Sequence, residues 1–157
     1  MGRSLKSLRD NESGSILILC VFTFIVVIIL TGFVIDLGLM YCMRIRLLEV
    51  GHLAREARFN ETSYLNDSEN PNRAFREIIE RCVVENGIPR EQLRTEFKET
   101  LREHNRREYK VDIYLWDTYK FTFLKIFGIT DYTVNIHIPG SGYVSMPGDI
   151  GVWYPGR

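Results

Sequence analysis

The feature that most constrains this chain is an uninterrupted apolar segment close to its N-terminus. The twenty residues 16–35 carry no charge. Twenty helical residues extend over about 30 Å, which matches the hydrocarbon core of a bilayer. A cleaved secretory signal has a shorter apolar centre followed by small residues at a cleavage site, a pattern that this segment lacks. The segment therefore predicts a membrane-spanning anchor helix, because a chain of 157 residues is too small to surround such a helix with its own core.

The helical pattern continues beyond the apolar segment. Apolar residues recur at helical spacing from Leu37 to Ala57, and no cluster of helix-breaking residues occurs before Asn60. We therefore expect one helix of about forty residues that begins near Ser15 and whose second half lies on a C-terminal domain. This divides the chain into a cytoplasmic tail or leader (1–14), a transmembrane helix (15–43), an extracytoplasmic domain (44–139) and a Gly/Pro-rich tail (140–157).

The domain after residue 60 has the pattern of a small α+β fold. Pro71 suits the first turn of a second helix, which Asn86 and Gly87 would end. Residues 111–115 and 132–138 alternate as strands do, and the second run ends at Pro139 and Gly140. We expect an antiparallel sheet of about three strands. Residues 93–101 fit either a helix or a strand, and the pattern alone does not choose between them.

The charges and motifs argue against several classes of function. From residue 44 onward 17 basic residues balance 17 acidic ones, so the domain lacks the positive field that nucleic-acid binding requires. No nucleophile elbow, phosphate-binding glycine loop or H-E-x-x-H sequence occurs, and the three histidines lie on different predicted elements without metal-ligand spacing. We expect no catalytic residues, no metal and no cofactor, and no small-molecule substrate is evident.

The cysteines exclude an internal disulfide in the domain. Cys20 and Cys42 lie in or near the apolar segment, so Cys82 has no partner within the domain. We expect Cys82 to be a small buried hydrophobe, with an intermolecular disulfide as the alternative.

Three residues near the end of the apolar segment are candidates for packing contacts. Gly32 and Gly38 provide small surfaces where another helix could approach closely, although a membrane helix also tolerates glycine without such a role. Asp36 is either an interfacial charge or a group that faces a partner helix. Basic residues flank the segment on both sides, so the charges do not decide the orientation. The short tail and the longer folded part favour a cytoplasmic N-terminus.

Several stretches together carry a resemblance to a known family. They are a small-residue start at Ser13-Gly-Ser-Ile-Leu-Ile-Leu19, the element Val34-Ile-Asp-Leu-Gly-Leu-Met-Tyr41, the helical extensions Arg44-Ile-Arg-Leu-Leu48 and Ala54-Arg-Glu-Ala57, and an apolar turn, Phe123-Leu-Lys-Ile-Phe-Gly128, between two strands. In these features the chain resembles the TadE/TadG-like family of the tight-adherence (Flp) pilus machinery. The resemblance covers nearly the whole chain.

The resemblance implies a minor pilin-like or pseudopilin-like subunit of such a pilus or of a related secretion apparatus. The protein would lie in the bacterial cell membrane as a single-pass anchor, with a pilin-like domain outside the membrane. Its partners would be the lipid bilayer and other membrane proteins of the apparatus. Gly32, Asp36, Gly38 and Tyr41 become assembly candidates, and residues 93–101 are expected to form a strand.

Some members of this family are cleaved after a glycine and carry a glutamate five residues later. Gly14 and Ser15 are the corresponding processing candidate here, but Leu19 occupies the position of the glutamate. The departure favours the unprocessed, TadG-like variants or a diverged relative. The alternative function is a membrane-anchored surface binding or sensor module unrelated to pili.

Overall fold

The structure is a computed structural model that describes residues 2–61, 65, 68, 70–103, 106–145 and 152–155. Over these residues the chain forms helix α1 (Gly2–Asn60), helix α2 (Pro71–Glu85) and strands β1 (Leu93–Glu103), β2 (Arg106–Lys120), β3 (Asp131–Ser145) and β4 (Val152–Pro155). Two compact units result. The first contains Met1–Met40 and Lys120–Asp131, and the second contains Tyr41–Tyr119 and Tyr132–Arg157. The α+β layout agrees with the expectation from the sequence.

Helix α1 contains the apolar segment and is longer than the sequence predicted. It begins at Gly2 rather than near Ser15 and has 59 residues, since no proline interrupts the leucine, lysine and arginine of its first turns. Within the described residues, one helical stretch, Gly14–Arg58, is long and apolar enough to cross a membrane. The predicted anchor helix is therefore present by length and composition.

The second half of α1 packs inside the second unit, as expected. Leu47, Val50 and Ala54 are buried along one stripe. A Cβ atom on Gly51 would lie 2.7 Å from Cδ1 of Ile138, so a larger residue here would displace the end of that side chain. Gly51 of α1 is thus a contact point for the sheet.

Helix α2 has the predicted limits. Pro71 occupies its first turn, and the side chain of Asn70 accepts a hydrogen bond of 3.2 Å from the backbone N–H of Arg73. The helix ends before Gly87, whose φ of 78° is a left-handed conformation that costs glycine little. The buried side chains, Ala74, Phe75, Ile78, Ile79 and Val83, form the apolar face of the helix.

The four strands form one sheet in the order β1-β2-β3-β4. Strands β1 and β2 are antiparallel and pair Leu93 with Leu115, so residues 93–101 form a strand rather than a helix. The predicted alternation is confirmed: Val111, Ile113 and Leu115 are buried on one face of β2. Residues 104 and 105, between β1 and β2, lie outside the described residues.

Strand β3 does not end at Pro139 and Gly140 as the sequence pattern predicted. It continues to Ser145 and pairs with β4 from Gly142 onward, so the sheet has a fourth strand where about three were expected. Pro139 precedes the paired positions, and its missing N–H therefore removes no hydrogen bond to β4. The tail residues of β4 complete the sheet because their backbone groups still need partners.

One buried charge of the second unit was not anticipated from the sequence. The Arg58 side chain, near the end of α1, is only 3% exposed, and its Nη2 donates a hydrogen bond of 3.3 Å to the carbonyl of Ser141. Burial, with a smaller effect of the neighbouring Arg55 charge, lowers the pKa of Arg58 to about 10. A Cβ atom on Gly140 would lie 3.1 Å from Nη1 of Arg58, so a glycine in β3 provides part of the space.

Cys82 is partly exposed on α2 rather than buried as predicted. It lies at the edge of the apolar face of α2, between the buried side chains and the exposed ones. Desolvation by burial raises the pKa of the Cys82 thiol, Glu85 raises it further, and Arg81 opposes both effects.

We predict that alkylation of Cys82 is slow at neutral pH in a Cys20→Ser, Cys42→Ser variant. Only the thiolate reacts, and a raised pKa means that the thiolate fraction keeps increasing well above the usual thiol pKa of about 8.5. The measurement is the iodoacetamide rate from about pH 7 to about pH 10. Glu85→Gln should raise the rate at neutral pH, whereas Arg81→Gln should lower it. The same rate in both variants would contradict the assignment.

Candidate functional site

The candidate site lies within the first unit, where an apolar loop contacts α1. We call residues 121–130, between β2 and β3, the apolar loop. Its centre is a 3-10 turn, Leu124–Phe127, which ends at Gly128 with a left-handed φ of 83°. The backbone N–H of Phe121 donates a hydrogen bond of 2.9 Å to the carbonyl of Thr130 and closes the base of the loop.

Asp36 of α1 accepts hydrogen bonds from three successive backbone amides of this loop. Its Oδ1 lies 3.1 Å from the N–H nitrogen of Thr122, and its Oδ2 lies 2.8 Å from those of Phe123 and Leu124. These amides precede or begin the 3-10 turn, where helical geometry leaves N–H groups without partners of their own. The carboxylate therefore caps the turn from another element, as an N-cap side chain does from its own chain segment.

The energetics explain why a carboxylate is suited to this position. Asp36 is fully buried, at 0% exposure, and a buried charge costs several kcal/mol unless it is paired or hydrogen-bonded. Hydrogen bonds to a charged group contribute about 1.5–3 kcal/mol each. Three such bonds are of the size needed to offset the desolvation of one carboxylate. Asp36 and the three amides thus stabilise each other.

Gly32 lies one helical turn before Asp36 and faces the same loop. A Cβ atom on Gly32 would lie 2.6 Å from Cγ and Cδ1 and 2.9 Å from Cβ of Phe123. Because the Cβ atom of Phe123 is bonded directly to its backbone and cannot rotate away, even alanine at position 32 would displace Phe123. The spacing of four residues places the glycine and the aspartate on one face of α1.

The six candidate residues from the sequence analysis have different surroundings in the structure. Gly32 and Asp36 lie together against the apolar loop of the same chain. Gly38 lies on α1, and a Cβ atom added to it would have open space within 4 Å, while Tyr41 is 59% exposed. Gly14 and Ser15 are exposed residues of α1, and a Cβ atom on Gly14 would likewise meet open space within 4 Å.

The role of the loop amides could not be recognised from the sequence. The apolar turn and Asp36 are separated by more than eighty residues, and backbone N–H donors leave no mark in a sequence. Two features of the sequence could have indicated the contact. A carboxylate directly after an apolar segment needs strong hydrogen-bond donors if it is buried. A turn rich in phenylalanine and isoleucine needs an apolar neighbour.

The site joins helix α1 to the apolar loop of the same chain. Its charged group, the Asp36 carboxylate, is already occupied by three amide donors. Within the part of the chain that the structure describes, no group of three or more His, Cys, Asp or Glu residues could hold a metal ion.

No protein-family model matches the chain, and neither the curated proteins nor the solved structures contain a match to it.

We predict that the amides of residues 122–124 lose protection from hydrogen exchange when Asp36 is replaced. Asp36→Ala removes both acceptor oxygens and with them all three hydrogen bonds, and a buried donor left unsatisfied costs about 1–3 kcal/mol, which corresponds to exchange roughly five- to 150-fold faster. Asp36→Asn keeps one acceptor oxygen and should give an intermediate rate. The measurement is hydrogen exchange by mass spectrometry on the full chain in detergent micelles.

Asp131→Asn is the matched control for this experiment. It removes the same charge from an exposed position of the same unit and leaves the Asp36 contacts intact. Exchange in residues 122–124 should stay at the wild-type rate. Equal exchange in the wild type and Asp36→Ala would show that Asp36 does not hold the loop.

Proposed function

We propose that this protein is a membrane-anchored, non-catalytic subunit of a tight-adherence (Flp) type pilus or of a related secretion apparatus. It would be a minor pilin-like or pseudopilin-like component whose α1 lies in the bacterial cell membrane and whose domain is outside it. Its function would be contact with the other membrane proteins of that apparatus. The family in this proposal comes from the resemblance of residues described above. The way in which the subunit would contact its partners comes from the geometry of α1.

The proposal rests on the different surroundings of two nearby residues of α1, Asp36 and Gly38. The Asp36 carboxylate accepts hydrogen bonds from backbone amides of the same chain, whereas a Cβ atom on Gly38 would meet no other atom within 4 Å. Residues two positions apart point about 200° away from each other around a helix. One face of α1 therefore serves the protein's own loop, and the opposite face presents the small surface that close helix packing uses.

The remaining apolar surface of α1 supports the same reading. Large apolar side chains from Ile16 to Ile35 are exposed around the helix, including Phe24 at 71% and Val34 at 68%. Lipid can cover this surface in the membrane, and the helices of other subunits can replace lipid during assembly. An assembly subunit requires no further chemistry from the described residues.

We predict that Gly38→Leu disrupts contact with partner membrane proteins while leaving the chain folded. A leucine on this face adds bulk where a partner helix would approach, and overpacking costs about 1–3 kcal/mol, or roughly a five- to hundredfold weaker association. The measurement is affinity purification of tagged full-length protein from detergent-solubilised native membranes. Wild-type protein should recover a secretion-type ATPase and a polytopic platform protein.

Two further variants control for unrelated effects. Gly38→Ala adds one methyl group and should weaken recovery much less than Gly38→Leu. Leu39→Phe adds bulk to a neighbouring exposed position on another face of α1 and should leave recovery unchanged. Recovery of the same partners by Gly38→Leu would refute the role of this face. Absence of pilus-type partners from the wild-type sample would refute the proposed function.

The mass of the mature native protein distinguishes a filament subunit from a permanently anchored assembly component. Cleavage between Gly14 and Ser15 would leave a new N-terminus at Ser15 and favour incorporation into a filament. Because Leu19 replaces the glutamate associated with processing, we expect the intact mass, which corresponds to a permanent anchor with an assembly role. The measurement is intact-mass spectrometry of protein extracted from native membranes. An N-terminus at Ser15 would overturn this expectation but not the pilus assignment.

A further inference from the structure

The apolar loop exposes large apolar side chains that its own unit does not cover. Ile126 is 79% exposed, Phe127 60% and Ile129 48%. Three such side chains within four residues, next to an apolar helix, form a contiguous patch of the kind that marks a protein or membrane contact. Asp36 also accepts hydrogen bonds from three amides of the loop, which stabilises the conformation in which these side chains are exposed.

The contacts of the loop place it beside the membrane-spanning part of α1. A groove of about 50 Å³ separates the two, lined by Ile28, Ile29, Phe33, Phe123, Leu124, Ile126 and Phe127. At 1.5 Å per residue, Phe33 lies about 4.5 Å and Ile28 about 12 Å along the helix axis from Asp36. A hydrocarbon core of about 30 Å requires nearly all of residues 16–35, so this part of α1 lies within the membrane. Side chains that contact it must lie there too.

Much of the loop backbone is hydrogen-bonded, which lowers the cost of approaching lipid. Lipid-exposed irregular backbone does not occur within the hydrocarbon core, so the loop backbone itself must stay at the edge of that region. In this loop the amide N–H groups with identified acceptors are those of Phe121, Thr122, Phe123, Leu124, Ile126, Gly128 and Ile129. Three of these acceptor contacts come from Asp36. The carboxylate thus lowers the cost of placing this irregular segment at the edge of the hydrocarbon region.

We propose that the apolar loop is a second membrane element, which inserts into the same bilayer as α1 and from the side on which Asp36 lies. Ile126 and Phe127 contact acyl chains, and Asp36 with its amide donors lies at the boundary with the headgroups. Lys125, which is exposed in the same turn, supplies a flexible cation that can reach lipid phosphates. The inference rests on α1 crossing a membrane and not on the pilus assignment.

Lipid fits this surface better than a partner helix or a second copy of the chain. The groove beside the loop is too small for a helix, whose axis must stay about 8–10 Å from that of its neighbour. The apolar surface of the loop is also continuous with that of α1 at Ile28 and Phe33, which is exposed around the helix and requires an apolar solvent. One lipid environment covers both.

The test is the depth of a fluorophore on the loop in vesicles that contain the purified full chain and no other protein. Ile126→Cys in a Cys20→Ser, Cys42→Ser, Cys82→Ser background is labelled with the environment-sensitive dye NBD. The vesicles contain phosphatidylcholine and phosphatidylglycerol, with a doxyl quencher either near the headgroup or near the end of the acyl chain. Ile126 is so exposed that its replacement removes little packing within the chain.

Two labelled positions calibrate the measurement. Phe22→Cys lies in the apolar segment of α1 and should be quenched from within the hydrocarbon core. Lys98→Cys is an exposed position of β1 in the second unit and serves as the reference for a residue outside the apolar segment. The Ile126 label should show blue-shifted emission and lose most of its intensity to the quencher near the headgroup, and less to the deeper quencher.

Two results would overturn the inference. If the Ile126 label is quenched no more than the Lys98 label, the loop lies outside the bilayer. If its emission is blue-shifted but no doxyl lipid quenches it, protein covers the loop, as in an association between two copies. Both results leave the pilus assignment untouched, because the vesicles contain no component of a pilus apparatus. Failure of the partner purification would equally leave this inference standing.

Discussion

The hydrogen bonds between the Asp36 carboxylate and three loop amides are the interaction on which the first unit depends. A buried carboxylate is costly, and so are three backbone N–H groups without acceptors. The carboxylate and the amides satisfy each other's hydrogen bonds only when α1 and the apolar loop lie together. Gly32 permits that approach, since any Cβ atom at its position would overlap Phe123. The glycine and the aspartate, one helical turn apart, therefore act as a matched pair.

The second unit is stabilised in a more ordinary way. The continuation of α1, helix α2 and the sheet bury apolar side chains at the spacings that helices and strands require, with Phe75, Val83 and Ile113 all at 0% exposure. A glycine again marks a close approach, where Ile138 packs on Gly51. The buried guanidinium of Arg58 is the main departure from an apolar core, and its lowered pKa reflects the cost of desolvating it.

These features suggest how a small protein with one long apolar helix can present two faces of that helix to different neighbours. Under the proposed function, the face with Gly32 and Asp36 orders the protein's own loop, and the face with Gly38 remains available to another subunit. If the loop also enters the bilayer, it restricts how α1 can rotate in the membrane. The available face would then point in a defined direction, which lowers the entropy lost on assembly.

The sequence by itself determined the elements that depend on local pattern. The apolar segment, the limits of α2 and the buried stripes of β2 and β3 all follow from spacing and from capping residues that act on their near neighbours. The strand at residues 93–101 and the fourth strand in the Gly/Pro-rich tail depend instead on pairing, and their patterns were ambiguous or absent. Gly32 and Asp36 could be nominated from the sequence, but not their partners. Only the tertiary structure decided that they face the chain's own loop, because backbone amides more than eighty residues away are invisible in a sequence until folding brings them to the carboxylate.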